Sequence, residues 1–185
     1  PPPPPHPPPP PPPLPSFHTR RSSDLGEAVL GVVYQPAKGR LFHAVRGQGA
    51  FQVHEGQTTR MHVSSQPDPA QMCLVASRSH YSPFVDVARQ ALGIAKANRI
   101  GSVGLKVGLV ARAACDLYLA TTISKEWDLC APHALLIESG GVLTNLCGEV
   151  LVYNKHYVTE CTGLIASNGL AHDQIVETLD PLRDK

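Results

Sequence analysis

The chain has 185 residues, 42% of them hydrophobic and 17% charged, with 16 basic against 15 acidic residues and a formal net charge of +1. That length is enough for one domain with a real core, while the near-neutral balance excludes a general nucleic-acid or anionic-membrane binder, which needs a basic surplus. No run of about 18 apolar residues offers a bilayer span, and the first residues lack the basic-then-apolar pattern of a secretory signal.

Thirteen of the 19 prolines fall within residues 1–15. Such a run adopts an extended polyproline II helix and can recruit SH3- or WW-type domains. The segment after it, Thr19–Leu25 (TRRSSDL), back-translates to the end of a widely used sequencing-adapter oligonucleotide, and a cytosine homopolymer ahead of that would read as proline. Residues 1–25 are therefore expected to be a disordered, artefactual tail, with the natural sequence starting near Gly26. Without Arg20, Arg21 and Asp24 the remainder is neutral.

From Gly26 the pattern is regular. Ala28–Tyr34 and Arg40–Arg46 read as strands separated by a Gln35–Gly39 turn, and Gly47-Gln48-Gly49 turns into a third strand, Ala50–His54. These residues form an antiparallel meander. Residues 55–70, polar and carrying Pro67 and Pro69, read as a linker, so the expected division is 26–66 for the antiparallel strands and 67–185 for a following α/β unit. In that unit Met72–Ala76 is a short buried strand. Pro83–Leu92 is a helix capped by Ser82, Lys106–Ala114 a second helix, and Asp116–Ala120 a strand. Trp127–Ser139 is a third helix stopped by Gly140-Gly141, and Trp127 reads as a core residue. Val142–Leu143, Val150–Tyr153 and Thr162–Ala166 are strands, and Leu170–Leu179 closes as an amphipathic helix. Alternating strands and helices predict an α/β fold.

Chemistry concentrates in three segments. In Ser124–Pro132 (SKEWDLCAP), Asp128 at a helix start can cap backbone N–H groups, or it can hold a hard cation such as Mg²⁺. Ser77-Arg78-Ser79-His80 follows a strand end, where ligands of open α/β sheets bind; Arg78 and His80 either contact phosphate there or sit on a solvated turn. Gly101–Lys106 (GSVGLK) is a glycine-bearing loop into a helix N-terminus, which can offer N–H groups to an anion. The five cysteines are odd in number and show no CxxC spacing, so they read as free core thiols in a reducing cytoplasm. The histidines make no ligand pair at helical metal spacing.

In their order along the chain, these segments resemble the inositol monophosphatase superfamily of Mg²⁺-dependent phosphatases. The resemblance rests on Leu30–Pro36 (LGVVYQP), Arg46–Phe51 (RGQGAF), Asp116–Leu119 (DLYL), Lys125–Pro132 (KEWDLCAP), Glu138–Gly141 (ESGG) and Leu143–Asn145 with Gly148. Ser77–His80, Lys106 and KEWDLCAP look most like the 3′(2′),5′-bisphosphate nucleotidase branch, which removes the 3′-phosphate of 3′-phosphoadenosine 5′-phosphate. The resemblance implies the C-terminal part of a layered αβαβα sandwich. It also implies Asp128 as a Mg²⁺ ligand, Lys106 facing the substrate phosphate, and Gly104 and His80 lining the pocket of a small phosphorylated metabolite.

Two departures qualify it. The family's principal metal motif, Asp-Pro-x-Asp-Gly-Thr/Ser, does not occur in the 185 residues, and Asn145 stands where Thr-Asp is common. One carboxylate cannot hold two or three Mg²⁺ ions, so the chain by itself is expected to be inactive and to leave apolar faces uncovered. Two other readings stay open: an inositol- or sugar-phosphate phosphatase, and a non-catalytic adaptor working through its proline tail.

Overall fold

Short-range alternation and tight turns build the first sheet in the computed structural model, in which residues 18–24, 26–154 and 161–183 are described. Sheet A is an antiparallel meander of β1 (His18–Asp24), β2 (Glu27–Gln35), β3 (Arg40–Val45), β4 (Gly49–His54) and β5 (Gln57–Met61), in that spatial order. Its centre is the meander expected from the sequence. The turn between β3 and β4 needs Gly47 and Gly49 at φ 74° and 85°, a region that glycine occupies without penalty.

Both edges of sheet A differ from expectation. β1 lies in the segment set apart as a tail, and its backbone pairs with β2 from His18↔Tyr34 to Asp24↔Glu27. Strand addition uses N–H and C=O groups, so a polar sequence can supply it. The proline run, Pro1–Pro15, lies outside the described residues. β5 occupies part of the expected linker; four of its five residues are exposed and only Met61 is buried, so no apolar alternation announces it.

Sheet B contains β6 (Cys73–Ser77), β7 (Lys96–Ile100), β8 (Leu117–Ser124), β9 (Val142–Thr144) and β10 (Cys161–Ser167), ordered β7-β6-β8-β10-β9. β6 runs parallel to β7 and β8, while β10 is antiparallel to β8 and β9. The helices are α1 (Pro83–Ala91), α2 (Val103–Ala111), α3 (Glu126–Glu138) and α4 (His172–Leu179). The expected cap holds α1: Ser82 Oγ accepts the Phe84 N–H at 3.3 Å. β7 (KANRI), an exposed edge strand, carries no sequence signal. Val150–Tyr153 is not a strand; it makes one bridge, Thr144↔Val150. Tyr153 instead meets His133 of α3 through a 2.8 Å hydrogen bond between its hydroxyl and Nδ1, and its N–H donates to Gly26.

The period-2 alternation of sheet B separates two cores. Val75, Tyr118, Ala120, Leu164 and Ala166 pack with α2, α3 and the inner face of sheet A (Val33, Phe42, Ala44, Ala50). Leu74, Ala76, Leu117, Leu119 and Ile165 pack on the opposite face with Val85 and Ala88 of α1 and Ile175 and Leu179 of α4. The layers are therefore sheet A, α2 with α3, sheet B, and α1 with α4: four of the five layers of the expected sandwich. Close approach of the first two depends on Gly31, where a Cβ would lie 2.1 Å from the Ala131 carbonyl oxygen.

Two core assignments need correction. Trp127 is 50% exposed, because it stands in the first turn of α3 ahead of the buried run that begins at Leu129. Cys115 and Cys130 are buried, but Cys73 is half-buried and Cys147 exposed in the turn after Asn145. Among the described residues no helix is long and apolar enough to cross a membrane.

Candidate active site

The three parallel strands β6, β7 and β8 bring their C-terminal ends to one edge of sheet B, the position at which open α/β sheets bind ligands. A cavity of about 500 Å³ opens there. Its wall comprises Ser77 at the end of β6, Ser79 and His80 after it, Gly101 and Ser102 after β7, the end of β8, the first turns of α2 with Gly104 and Lys106, and Asp128 in the first turn of α3. His80, Gly104, Lys106 and Asp128, the four residues singled out in the sequence, thus border a single cavity. His80 and Asp128 are exposed; Gly104 and Lys106 are buried.

Local hydrogen bonds shape the rim. Ser77 Oγ accepts the His80 N–H at 3.1 Å, and the Arg78 N–H donates to Ile100 at 3.2 Å, stitching the β6 and β7 loops together. The Arg78 side chain is directed over Gly101 and is not part of the cavity wall. Ser102, at φ 62° and ψ 128°, is a non-glycine residue in a sparsely populated conformation, of the kind that surrounding structure must enforce. It offers no side-chain cap, so the first N–H groups of α2 lack the usual partner and present the positive end of the helix to the cavity. Gly104 lets this helix end approach β2: a Cβ there would lie 3.3 Å from Val33 Cγ1.

Lys106 is the electrostatic centre. It is 3% exposed, and among the described residues its ammonium makes no hydrogen bond or ion pair; its contact is the face of Tyr118, 5.0 Å from the ring centroid. Burial lowers its pKa from 10.5 to about 8 and pushes the Tyr118 phenol up. A desolvated cation beside an uncapped helix N-terminus favours an anion.

Sequence reasoning missed Tyr118, Thr122 and Ser124 as wall residues. The signal was present: β8 passes from the apolar Leu119 and Ala120 to Thr121, Thr122 and Ser124, so hydroxyls follow as the strand leaves the core. It also passed over Glu126, which is buried; one carboxylate oxygen accepts the Asn154 N–H at 2.9 Å and the other has no hydrogen-bond partner among the described residues. Asn145, the departure from the Thr-Asp pattern, uses Oδ1 to accept the N–H groups of Cys147 and Glu149, each at 2.9 Å, as an aspartate would. Asp128 is the one carboxylate on the cavity wall, and the described residues contain no cluster of three or more His, Cys, Asp or Glu able to hold a metal ion.

The two sheets, the helix layer between them and a cavity at the carboxyl ends of parallel strands define a layered α/β protein with a small-ligand site at its strand ends. Comparison with known proteins makes this specific. The family model of the inositol monophosphatase family matches residues 23–183, and the chain belongs to that family. A 3′(2′),5′-bisphosphate nucleotidase, CysQ, of Aggregatibacter actinomycetemcomitans is 34% identical over 130 residues, covering 70% of this chain and 48% of that protein. Inositol monophosphatase 3 of Xenopus tropicalis is 29% identical over 161 residues, covering 83% and 42%. The chain thus spans about half the length of the curated relatives it matches. The IMPase structure from Thermotoga maritima superposes with a TM-score of 0.75 at 24% identity, over 91% of this chain and 62% of that one, which establishes the shared fold.

Proposed function

We propose that this sequence carries the substrate-binding wall of a Mg²⁺-dependent phosphomonoesterase that removes the 3′-phosphate of 3′-phosphoadenosine 5′-phosphate. Lys106 carries the reading: a buried lysine that makes no ion pair among the described residues, next to an open helix N-terminus, in a cavity of the size that small metabolites occupy. A phosphomonoester placed there accepts hydrogen bonds from the first N–H groups of α2, and Lys106 neutralises its charge. His80 on the facing loop borders the same cavity and is suited to the nucleotide, and Gly104, by letting α2 pack close to Val33, sets where the helix end meets the ligand.

Asp128 would provide one oxygen ligand to Mg²⁺. When bound, Mg²⁺ supplies an activated water and charge neutralisation at the leaving oxygen. A single wall carboxylate fits one ligand position but not a centre of two or three ions. The 185-residue chain therefore binds the phosphate without turning it over. A small-molecule partner also suits the near-neutral charge better than nucleic acid or an anionic membrane does.

An inositol or sugar phosphate is the second reading. It is favoured by the similarity to inositol monophosphatase 3 and by the fact that Lys106 and the α2 N-terminus engage the phosphate rather than the rest of the molecule. The adaptor reading rests on Pro1–Pro15, outside the described residues. Titration calorimetry of the 185-residue chain against 3′-phosphoadenosine 5′-phosphate and inositol 1-phosphate, paired with a phosphate-release assay in Mg²⁺, tests the proposal. The nucleotide should bind more tightly and no phosphate should appear. Release of phosphate overturns the inactivity, tighter inositol phosphate binding selects the second reading, and no binding of either removes the site.

A further inference from the structure

Cys73 begins β6 and Cys115 immediately precedes the Asp116 that leads into β8, so the parallel pairing of these strands carries the two thiols to the same place across a sequence separation of 42. Their sulfurs are 3.4 Å apart. Asn98 of β7 donates its side-chain N–H groups toward both, at 3.4 Å to Cys73 and 3.6 Å to Cys115. Backbone and carboxylate bonds fix the arrangement: the Asp116 N–H donates to the Cys73 carbonyl at 2.9 Å, and the Cys73 N–H donates to Asp116 Oδ2 at 2.6 Å. Ser64 in turn donates to the other oxygen of Asp116. Cys73 is half-buried and gives reagents an approach, whereas Cys115 is buried behind it.

We propose that Cys73 and Cys115 are a site of reversible oxidative modification, closing an intramolecular disulfide between the starts of β6 and β8 when the protein meets a two-electron thiol oxidant such as hydrogen peroxide. The chemistry balances in two steps. The Cys73 sulfur attacks the peroxide, the O–O bond breaks, and sulfenic acid and one water form. The Cys115 sulfur then displaces the sulfenic oxygen, giving the S–S bond and a second water, so two thiols lose two electrons and two protons to one peroxide. Closing the bond needs the sulfurs to approach by about 1.4 Å, from contact to the S–S length near 2.05 Å, which side-chain rotation and small strand shifts supply.

The surroundings set the character of the pair. Burial, the hydrogen bond with Cys115 and the Asp116 charge push the Cys73 thiol up to about 12. A destabilised thiolate makes oxidation slow and the disulfide, once formed, resistant to reduction. The cross-link sits at the amino ends of β6 and β8, while Ser77 and Ser124 of the cavity wall lie at their opposite ends. It would therefore tie together the two strands on which the cavity is built, without entering it.

Peptide mapping of the oxidised 185-residue chain tests this directly. Trypsin isolates Cys73 in the peptide of residues 61–78 and Cys115 in that of residues 113–125, each with a single cysteine. After hydrogen peroxide treatment under native conditions and thiol blocking, these two peptides should be recovered joined, at the sum of their masses less two hydrogens. They should exceed any other cysteine pair by about tenfold, as expected when the fold and not chance brings thiols together. Oxidation in concentrated urea should abolish that preference, and dithiothreitol should release the native cross-link. Equal pairing in native buffer and urea, dominance of another pair, or conversion of Cys73 to sulfinic acid without the cross-link would each overturn the proposal. In Cys115→Ser the joined peptide must vanish and Cys73 must become available to a glutathione adduct; persistence of a native-state cross-link to Cys73 contradicts it.

Discussion

Lys106 destabilises the fold that holds it. Its pKa of about 8 lies below the unfolded value of 10.5, so between these pH values the unfolded chain binds the extra proton and stability rises with pH. Below pH 8 the full penalty, on the order of 3 kcal/mol before the Tyr118 ring face offsets part of it, is present. Lys106→Met should therefore raise stability at pH 7 by about 2 kcal/mol, abolish phosphate-ligand binding, and lose its stability advantage between pH 8 and 10.5. Urea unfolding of both chains across that range is the measurement, and a gap independent of pH would contradict the assignment. His133 follows the same sign at lower pH: burial lowers its pKa to about 4, so it stays neutral against the Tyr153 hydroxyl and the bond ties the 151–153 segment to α3.

At the scale of elements, α3 does most of the positioning. Its amino end brings Asp128 to the cavity, and its middle packs on β2 where Gly31 has no side chain. Pro132 has no N–H to donate, so the Asp128 carbonyl loses its intrahelical partner and the first turn is held less tightly than the turns after it. The carboxyl end is tied to sheet A instead: Glu138 accepts the N–H groups of Gly47 and Gly49, each at 2.8 Å, and so clamps the β3–β4 turn. Gly31→Ala would force a methyl group into the Ala131 carbonyl, so β2 and α3 must separate. A loss of about 1–3 kcal/mol is expected, together with weaker ligand binding because the α3 end moves with the helix. Thermal unfolding and calorimetry check both, and an unchanged melting temperature would show that the contact is not a close one.

Over the whole molecule, sheet A is finished on one face only. Val33, Phe42 and Ala44 face the helices, whereas Val32, Tyr34, Leu41, Phe51 and Val53 lie on the other side, half-buried and covered by no helix among the described residues. A contiguous apolar face of this kind promotes association. The 185-residue chain should elute as oligomers whose size grows with concentration, and Val32→Thr with Val53→Thr should shift it toward monomer. Light scattering during gel filtration is the check; a concentration-independent monomer would show that the face is adequately covered.

The amino-acid order by itself determined the central strands of sheet A, β6, β8 and β10, and all four helices: α1 and α4 through the period that burial on one face imposes, α2 (three residues earlier than expected) and α3, buried on most sides, through their apolar runs. It also singled out Asp128, Lys106, Gly104 and His80 through motif resemblance. Edge strands β5 and β7 escaped because exposed residues owe no periodicity to a core, and β1 because backbone pairing asks nothing of its side chains. Only the tertiary structure decided that those four residues share one cavity, that Trp127 lies outside the core, and that Lys106 is buried with no ion pair among the described residues. Likewise the contact of Cys73 with Cys115 exists only because parallel strands align positions far apart in the chain. Periodicity records which face of an element is buried, but which elements meet, and at what distance, is fixed by packing across layers.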